Sequence, residues 1–237
     1  EILKEGIHFW EKGDIERASD FFKKAIEADS QNSDALFRMG LYYLRHKDFQ
    51  NSLDYFDKAI SSGMEAPEIY YLKGECHIQL NDPRAAIEFL ENGLRKNISS
   101  EKIFKILGKA YYELSILLQY EGQYEEAMRV ARKGVEKYFH FLPLYKLMAK
   151  LCFEEGMNDK AVENINNYIN KVKNDPEAYV LMGDIYTVLQ NINQSLSSYN
   201  KAIELAPDAL LPMYKIAHVY CDTGDYKKAE EYLIKAI

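Results

Sequence analysis

Residues 35–60 read ALFRMGLYYLRHKDFQNSLDYFDKAI, and residues 178–203 read AYVLMGDIYTVLQNINQSLSSYNKAI. In the first stretch Leu36, Met39, Leu41, Tyr43 and Leu44 recur at the spacing of one helix face, with Arg38 off it. Phe49, Leu53, Phe56, Ala59 and Ile60 make a second apolar stripe, separated from the first by the polar turn Arg45-His46-Lys47. The same turn returns as Glu121-Gly122-Gln123 and Thr223-Gly224-Asp225, where Gly supplies the left-handed conformation that ends a helix. Helix starts are marked as well: Asp175-Pro176-Glu177 offers an Asp cap followed by Pro in the first turn. Strand-like alternation is absent. The chain is expected to be all-α, built from antiparallel helix pairs.

Working outward, small residues recur at Gly6, Gly40, Gly74 and Gly108, at a constant step of 34. The series resumes at Ala149, Gly183 and Ala217 after one step of 41. Ala18, Ser52, Ala86, Ala127, Ala161, Ser195 and Ala229 keep the same beat, as do Ala25, Ala59, Gly93, Gly134, Tyr168, Ala202 and Ala236. All three series place the longer step in the same repeat. A fixed period of this length is the mark of stacked supersecondary units, which bury a continuous core only by stacking on one another.

The pattern resembles the tetratricopeptide repeat (TPR) family, whose unit of about 34 residues has small and aromatic slots at fixed offsets. The second unit carries Leu36, Met39-Gly40, Tyr43, Ser52, Phe56 and Ala59; the sixth carries Tyr179, Met182-Gly183, Tyr186, Ser195, Tyr199, Ala202 and the closing Pro207. His77 and Cys152 replace a Tyr, Ala131 replaces a large residue, and Tyr168 fills a small slot. The resemblance implies a right-handed α-solenoid of about seven helix pairs, the fourth enlarged by seven residues. Its units would run over 1–32, 33–66, 67–100, 101–141, 142–175, 176–209 and 210–237, a single array over 1–237. With no initiator Met, and with Ile2, Leu3, Ile7, Leu233 and Ile237 lying toward the ends, the array is expected to be excised from a longer one and uncapped at both ends.

The fourth unit has two registers, set by Gly108 and by Ser115, which differ by about two helical turns and keep one face inward. A first helix from Lys102 to Gln119 accounts for both. Its extra turns, with Ile116, Leu117, Leu118 and Tyr120, either cover neighbouring helices or form an apolar projection for a partner.

Composition narrows function mainly by exclusion. The 237 residues are 47% apolar with only 12 Gly and 6 Pro, which excludes disorder and low-complexity sequence. No apolar run approaches the roughly 20 residues of a membrane span. Thirty Lys plus Arg against 37 Asp plus Glu give a net charge of −7, against nucleic acid, which demands a basic face. Cys76, Cys152 and Cys221 are too few and too scattered for a disulfide framework; each is read as a reduced core residue, favouring a cytoplasmic location. Phosphate-loop, zinc-protease, hydrolase-elbow and dinucleotide motifs are missing, and the five His fall in different repeats. No enzyme activity, metal or cofactor is expected.

What remains is a binding scaffold for another protein or peptide, held in the concave groove that the resemblance assigns to first helices. The competing reading is the substrate- or regulator-binding arm of a larger enzyme such as a glycosyltransferase or kinase. Groove candidates are Phe37, Leu41, Tyr71 and Glu75 in the early units and Tyr214 and His218 in the last. Where the family's site for the acidic tails of cytosolic chaperones needs Lys, Asn and Arg, these residues stand instead, so that ligand does not carry over. Residues 101–173 hold 12 basic against 10 acidic side chains, whereas 1–100 hold 13 against 18 and 174–237 hold 5 against 9. Lys102, Lys105 and Lys109 share a helix face, Lys146 and Lys150 follow one unit on, and Tyr112 and Phe153 are candidate apolar anchors. Two readings stand: a solvated lysine stripe, or a site for an acidic segment. Self-association through terminal repeats is compatible with either function.

The irregular fourth unit is expected to be the weakest link in a stack held by nearest-neighbour contacts. Hydrogen exchange should therefore open earlier across residues 111–138 than across the second unit, 33–66. Equal protection in the two segments would contradict this.

Overall fold

The computed structural model describes residues 1–236. Among them the chain forms fourteen helices and no strand. Its contacts divide it into two units, Glu1–Gly122 and Gln123–Ile237. The first holds α1 (Ile2–Glu11) with α2 (Ile15–Ala28), α3 (Ser33–Arg45) with α4 (Phe49–Ser61), α5 (Pro67–Gln79) with α6 (Pro83–Arg95), and α7 (Glu101–Tyr120). The second holds α8 (Tyr124–Lys137), α9 (Pro143–Glu154) with α10 (Asn158–Ile169), α11 (Pro176–Val188) with α12 (Ile192–Leu205), and α13 (Leu210–Asp222) with α14 (Tyr226–Lys235).

Local chemistry sets the helix ends. Asp14, Asn32, Asp48, Asp82, Ser100, Asp175, Asn191 and Asp225 each accept a backbone N–H from the first turn of the helix they cap. Each such cap contributes about 0.5–2 kcal/mol relative to Ala. The turns inside the pairs repeat one conformation: Gly13, Lys47, Asn81, Gly122, Gly156, Gln190 and Gly224 all have φ between 57° and 83°. Glycine is therefore not obligatory there. Lys47 and Gln190 accept the left-handed strain, about 1–2 kcal/mol for a residue with a Cβ, because the neighbouring helices fix the turn.

Within a pair, the small residue of the first helix faces a bulky residue sixteen positions later. A Cβ on Gly6 would lie 2.7 Å from the Phe22 ring, and one on Gly74 would lie 2.6 Å from Leu90. Gly40 meets Phe56, and Gly183 meets Tyr199, more closely still. The bulky residue is then covered by the next first helix. Phe22 clusters with Ala18 and Met39, and Tyr199 with Ile216 and Val219. At this position Phe22, Phe56, Leu90, Ala131, Ile165 and Tyr199 are at most 1% exposed, but Leu233 on α14 is 39% exposed.

Several expectations change in detail. Leu36 and Met39 are buried, but Leu41, Tyr43 and Leu44 are only half-buried, and Arg38 lies over the Phe22 ring of the preceding pair. Cys76 and Cys152 are core residues, whereas Cys221 is exposed. Cys221 occupies the repeat slot held by Thr187 one unit earlier and by Phe153 two units earlier, so it belongs to the first-helix face and not to the core stripe. At the start of the chain Leu3 and Ile7 pack on the Phe22 cluster while Ile2 is exposed; Ile237 lies outside the described residues. Helix α7 has 20 residues, against 10 to 14 in the others. Gly108 and Ser115 are both buried on it, and Ser115 Oγ donates to the Tyr111 carbonyl at 2.7 Å. Leu118 is buried, Ile116 and Leu117 are half-buried, and Tyr120 is exposed.

Overpacking a closed contact costs about 1–3 kcal/mol. Gly40→Ala should lower stability by that amount in urea unfolding, and combining it with Phe56→Leu should recover at least half. A neutral Gly40→Ala would show that this contact does not set the helix spacing.

Candidate functional site

In the unit Glu1–Gly122, the expected residues of α5 and α7 meet in pairs. Lys109 Nζ lies 2.8 Å from Glu75 Oε1, and Lys102 Nζ donates to the Tyr71 hydroxyl at 3.1 Å while sitting 4.6 Å from that ring's centre. These contacts join residues 34 and 31 positions apart, which the repeat places side by side on successive first helices. Phe37 packs on Phe56 at 5.8 Å between ring centres, and Leu41 is half-buried. Both act in the core as much as on a surface. Tyr112 is half-buried and Lys105 is exposed.

In the unit Gln123–Ile237, Lys146 on α9 is bound to two carboxylates, Asp175 at 2.9 Å and Glu177 at 2.8 Å. Tyr168 donates to the same Asp175 oxygen at 2.8 Å. Burial, with the hydrogen bond to Asp175, pushes the Tyr168 phenol up to about 12. Burial alone would raise the Asp175 carboxyl, but the hydrogen bonds from Lys146 and Tyr168 outweigh it and hold the group below the usual carboxylate range. Asp175 also caps α11 through the amides of Glu177 and Ala178. This cluster ties α9 to the start of α11. Lys150 lies 3.8 Å from Glu154 on its own helix.

The lysine stripe expected to receive an acidic partner is therefore largely engaged within the chain. Lys102, Lys109 and Lys146 each have an internal partner, which an arriving carboxylate must displace. The lysines also fall in two units, with Lys102, Lys105 and Lys109 in one and Lys146 and Lys150 in the other.

Three other expected residues come together. Phe153 of α9 and Tyr214 and His218 of α13 line a pocket of about 420 Å³ with Val188 of α11 and Leu211 of α13. Asp184, Lys215, Tyr199 and Thr187 form its polar part. Asp184 Oδ1 accepts the Tyr199 hydroxyl at 2.7 Å and faces Lys215 Nζ at 2.9 Å. Thr187 Oγ1 is 2.6 Å from Ser195 Oγ and 3.2 Å from the Tyr199 hydroxyl. Burial raises the Tyr199 phenol well above its ordinary value, so it stays a proton donor. His218 Nδ1 lies 3.0 Å from Asp222 on the next turn.

Asp184 and Lys215 are functional candidates that the sequence reading passed over. Asp184 could have been found, since it shares one repeat slot with Lys150 in the unit before and His218 in the unit after. Lys215 had a fainter signal, a charge where the preceding repeats carry Leu147 and Leu181. Tyr199 looked like a filler of the core, which it also is.

The architecture defines a class: an all-helical repeat protein built from successive helix pairs, with no group of three metal-ligating residues among those described. One tetratricopeptide repeat model matches residues 3–67, and a second matches 67–95, 108–136, 176–209 and 212–237. The chain belongs to the tetratricopeptide repeat family, and its fold is an all-α TPR solenoid. Among curated proteins it is 30% identical over 105 residues to the human E3 SUMO-protein ligase RanBP2, a match that covers 40% of this chain and 3% of that protein. The human RANBP2-like and GRIP domain-containing protein 8 matches at the same identity and length, over 6% of its own chain.

Solved structures share the fold at lower identity. YrrB, described as a TPR protein with an unusual peptide-binding site, is 21% identical, with a TM-score of 0.57 over 81% of this chain and 95% of its own. The C-terminal part of a TPR repeat-containing protein from Cytophaga hutchinsonii is 20% identical, with a TM-score of 0.63 over 85% of this chain and 78% of its own. PilF of Pseudomonas aeruginosa is 14% identical, with a TM-score of 0.57 over 93% of this chain and 96% of its own. No described helix is long and apolar enough to cross a membrane.

The Asp175 cluster has a pH signature. Its carboxyl is held below the unfolded value, about 3.9, so its contribution is present above that pH and is lost as pH falls through the folded value. Asp175→Asn, which keeps a capping side chain, should cost about 1–2 kcal/mol at pH 7, with the gap to wild type shrinking as pH falls below the unfolded value of about 3.9. A gap unchanged between pH 7 and pH 3 in thermal unfolding would show that the charge contributes nothing.

Proposed function

We propose that this chain is a non-catalytic interaction scaffold that holds a segment of a partner protein against its first-helix face. The observation that carries this is the pocket under Phe153, Leu211, Tyr214 and His218. Apolar walls around a few oriented polar groups are what recognition of a side chain requires. Val188, Leu211 and Tyr214 are 54%, 56% and 47% exposed, and large apolar groups clustered in the open mark a contact surface. The peptide-binding site named for YrrB, a protein of the same fold, supports the reading without fixing where a peptide sits here.

An acidic partner at the middle repeats has weaker support, because Lys102, Lys109 and Lys146 already have partners. Self-association has a single support, the exposed Leu233 and Ile234 on α14. One observation favours the arm of a larger enzyme: the human relative is named an E3 SUMO-protein ligase, and the likeness spans 3% of it. In that setting these residues would still bind and not catalyse.

Wild-type chain and a Leu211→Asp, Tyr214→Ala double variant can be used to capture partners from the native source, with unfolding curves recorded for both. Both side chains are half-exposed, so the variant should unfold within a few degrees of wild type. Truncating an anchor at the centre of an interface costs about 2 kcal/mol or more, roughly 30-fold in affinity, so the captured set should disappear. Full retention by a folded variant would remove the pocket from the binding face.

A further inference from the structure

The pocket on the face of α9, α11 and α13 has an apolar part and a polar part, in which the Asp184 carboxylate is paired with Lys215. We propose that its occupant is a basic segment: one bulky apolar side chain between Phe153, Leu211 and Tyr214, with a Lys or Arg within two residues that pairs with Asp184. This rests on the first-helix face being the partner-binding face, and adds the chemistry of what it takes.

The apolar part follows from the exposure of Val188, Leu211 and Tyr214 around a single cavity. The sign of the charge follows from three observations. Asp184 Oδ1 carries the Tyr199 hydroxyl and faces Lys215, but Oδ2 accepts no hydrogen bond among the described residues. A carboxylate with one open oxygen beside an apolar pocket is a ready acceptor for a cation that brings its own donors, and charge-assisted bonds of this kind are the stronger ones. Each cation around it has a carboxylate partner, and the partner of Lys215 is Asp184 itself, so an incoming cation competes with Lys215 for that carboxylate. Lys215 is held on Asp184, Lys146 lies between Asp175 and Glu177, and Lys150 lies near Glu154. His218 is held at 3.0 Å from Asp222. Residues 174–237 as a whole carry five basic against nine acidic side chains. An acidic segment arriving here meets Asp184, Asp222 and a surplus of like charge, whereas a basic one is steered in.

Random dodecapeptides displayed on phage are selected on the immobilised full chain, and the most enriched peptide is synthesised with a fluorophore for anisotropy titration. Enriched sequences should pair an apolar residue with Lys or Arg within two positions, and Tyr214→Ala should abolish binding. Asp184→Asn, which keeps an acceptor for Tyr199, should weaken binding roughly tenfold, as for loss of one charge-assisted contact. Lys215→Ala removes the competing cation and should strengthen binding severalfold, and raised salt should weaken it. Circular dichroism confirms the fold of each variant. Acidic or uncharged enriched peptides, or unchanged binding to Asp184→Asn, overturn the basic-segment inference; if Tyr214→Ala still abolishes binding, the face reading stands. No enrichment, or enriched peptides that bind Tyr214→Ala as tightly as wild type, overturns both.

Discussion

Four helix pairs depend on one contact: a glycine on the first helix, pressed by a bulky side chain sixteen positions later on the second. Gly6 under Phe22, Gly40 under Phe56, Gly74 under Leu90 and Gly183 under Tyr199 leave no room for a methyl group. Close approach brings an aromatic or aliphatic group to the level of the facing backbone, where it is then sealed by the next first helix, as Met39 seals Phe22 and Ile216 packs on Tyr199. The contact thus sets two distances together, within a pair and between pairs. The pair supplies the knob, the next pair covers it, and the stack is only as regular as that exchange. On α14 the same position, Leu233, is 39% exposed.

That geometry also governs electrostatics. Placing first helices side by side brings residues one repeat apart within reach of one another. Glu75 meets Lys109 and Tyr71 meets Lys102 for this reason, and Lys215 meets Asp184 in the same way. A charge at a given slot is therefore judged against its counterpart in the next repeat. Of the lysines striped along α7, Lys109 is one half of an ion pair and Lys102 donates to the Tyr71 hydroxyl, while Lys105 is exposed. In the unit Gln123–Ile237, Val188, Leu211 and Tyr214 stay exposed around the pocket that Asp184 and Lys215 also line.

Of the site, residues with an unusual identity at a first-helix slot were legible, and Phe153, Tyr214 and His218 do gather at one pocket. Phe37 was legible as an aromatic on that face, but its packing on Phe56 was not, since the side chain can turn either way from the same slot. Cys221 illustrates the same limit. An apolar helical pattern places it on a helix, and only the covering helices decide whether that side of the helix is inside. Asp184 had a signal in the slot it shares with Lys150 and His218, but that Tyr199 and Lys215 are brought against it is decided only by the fold.

By itself the sequence determined the helix pairs, their period, their caps and their turns. These follow from local chemistry: the spacing of apolar residues, an Asp or Asn ahead of many first turns, and a small residue at a fixed beat. Those properties act over a few positions and repeat, so they can be read off a linear string. The tertiary structure alone decided which charges are satisfied, which aromatics are core, and where a pocket opens. Each of these depends on side chains from successive repeats meeting within hydrogen-bond distance, as Lys146 meets Asp175 and Lys215 meets Asp184. A repeat pattern fixes which helices are neighbours; the rotamer each side chain takes between them fixes the chemistry of the face.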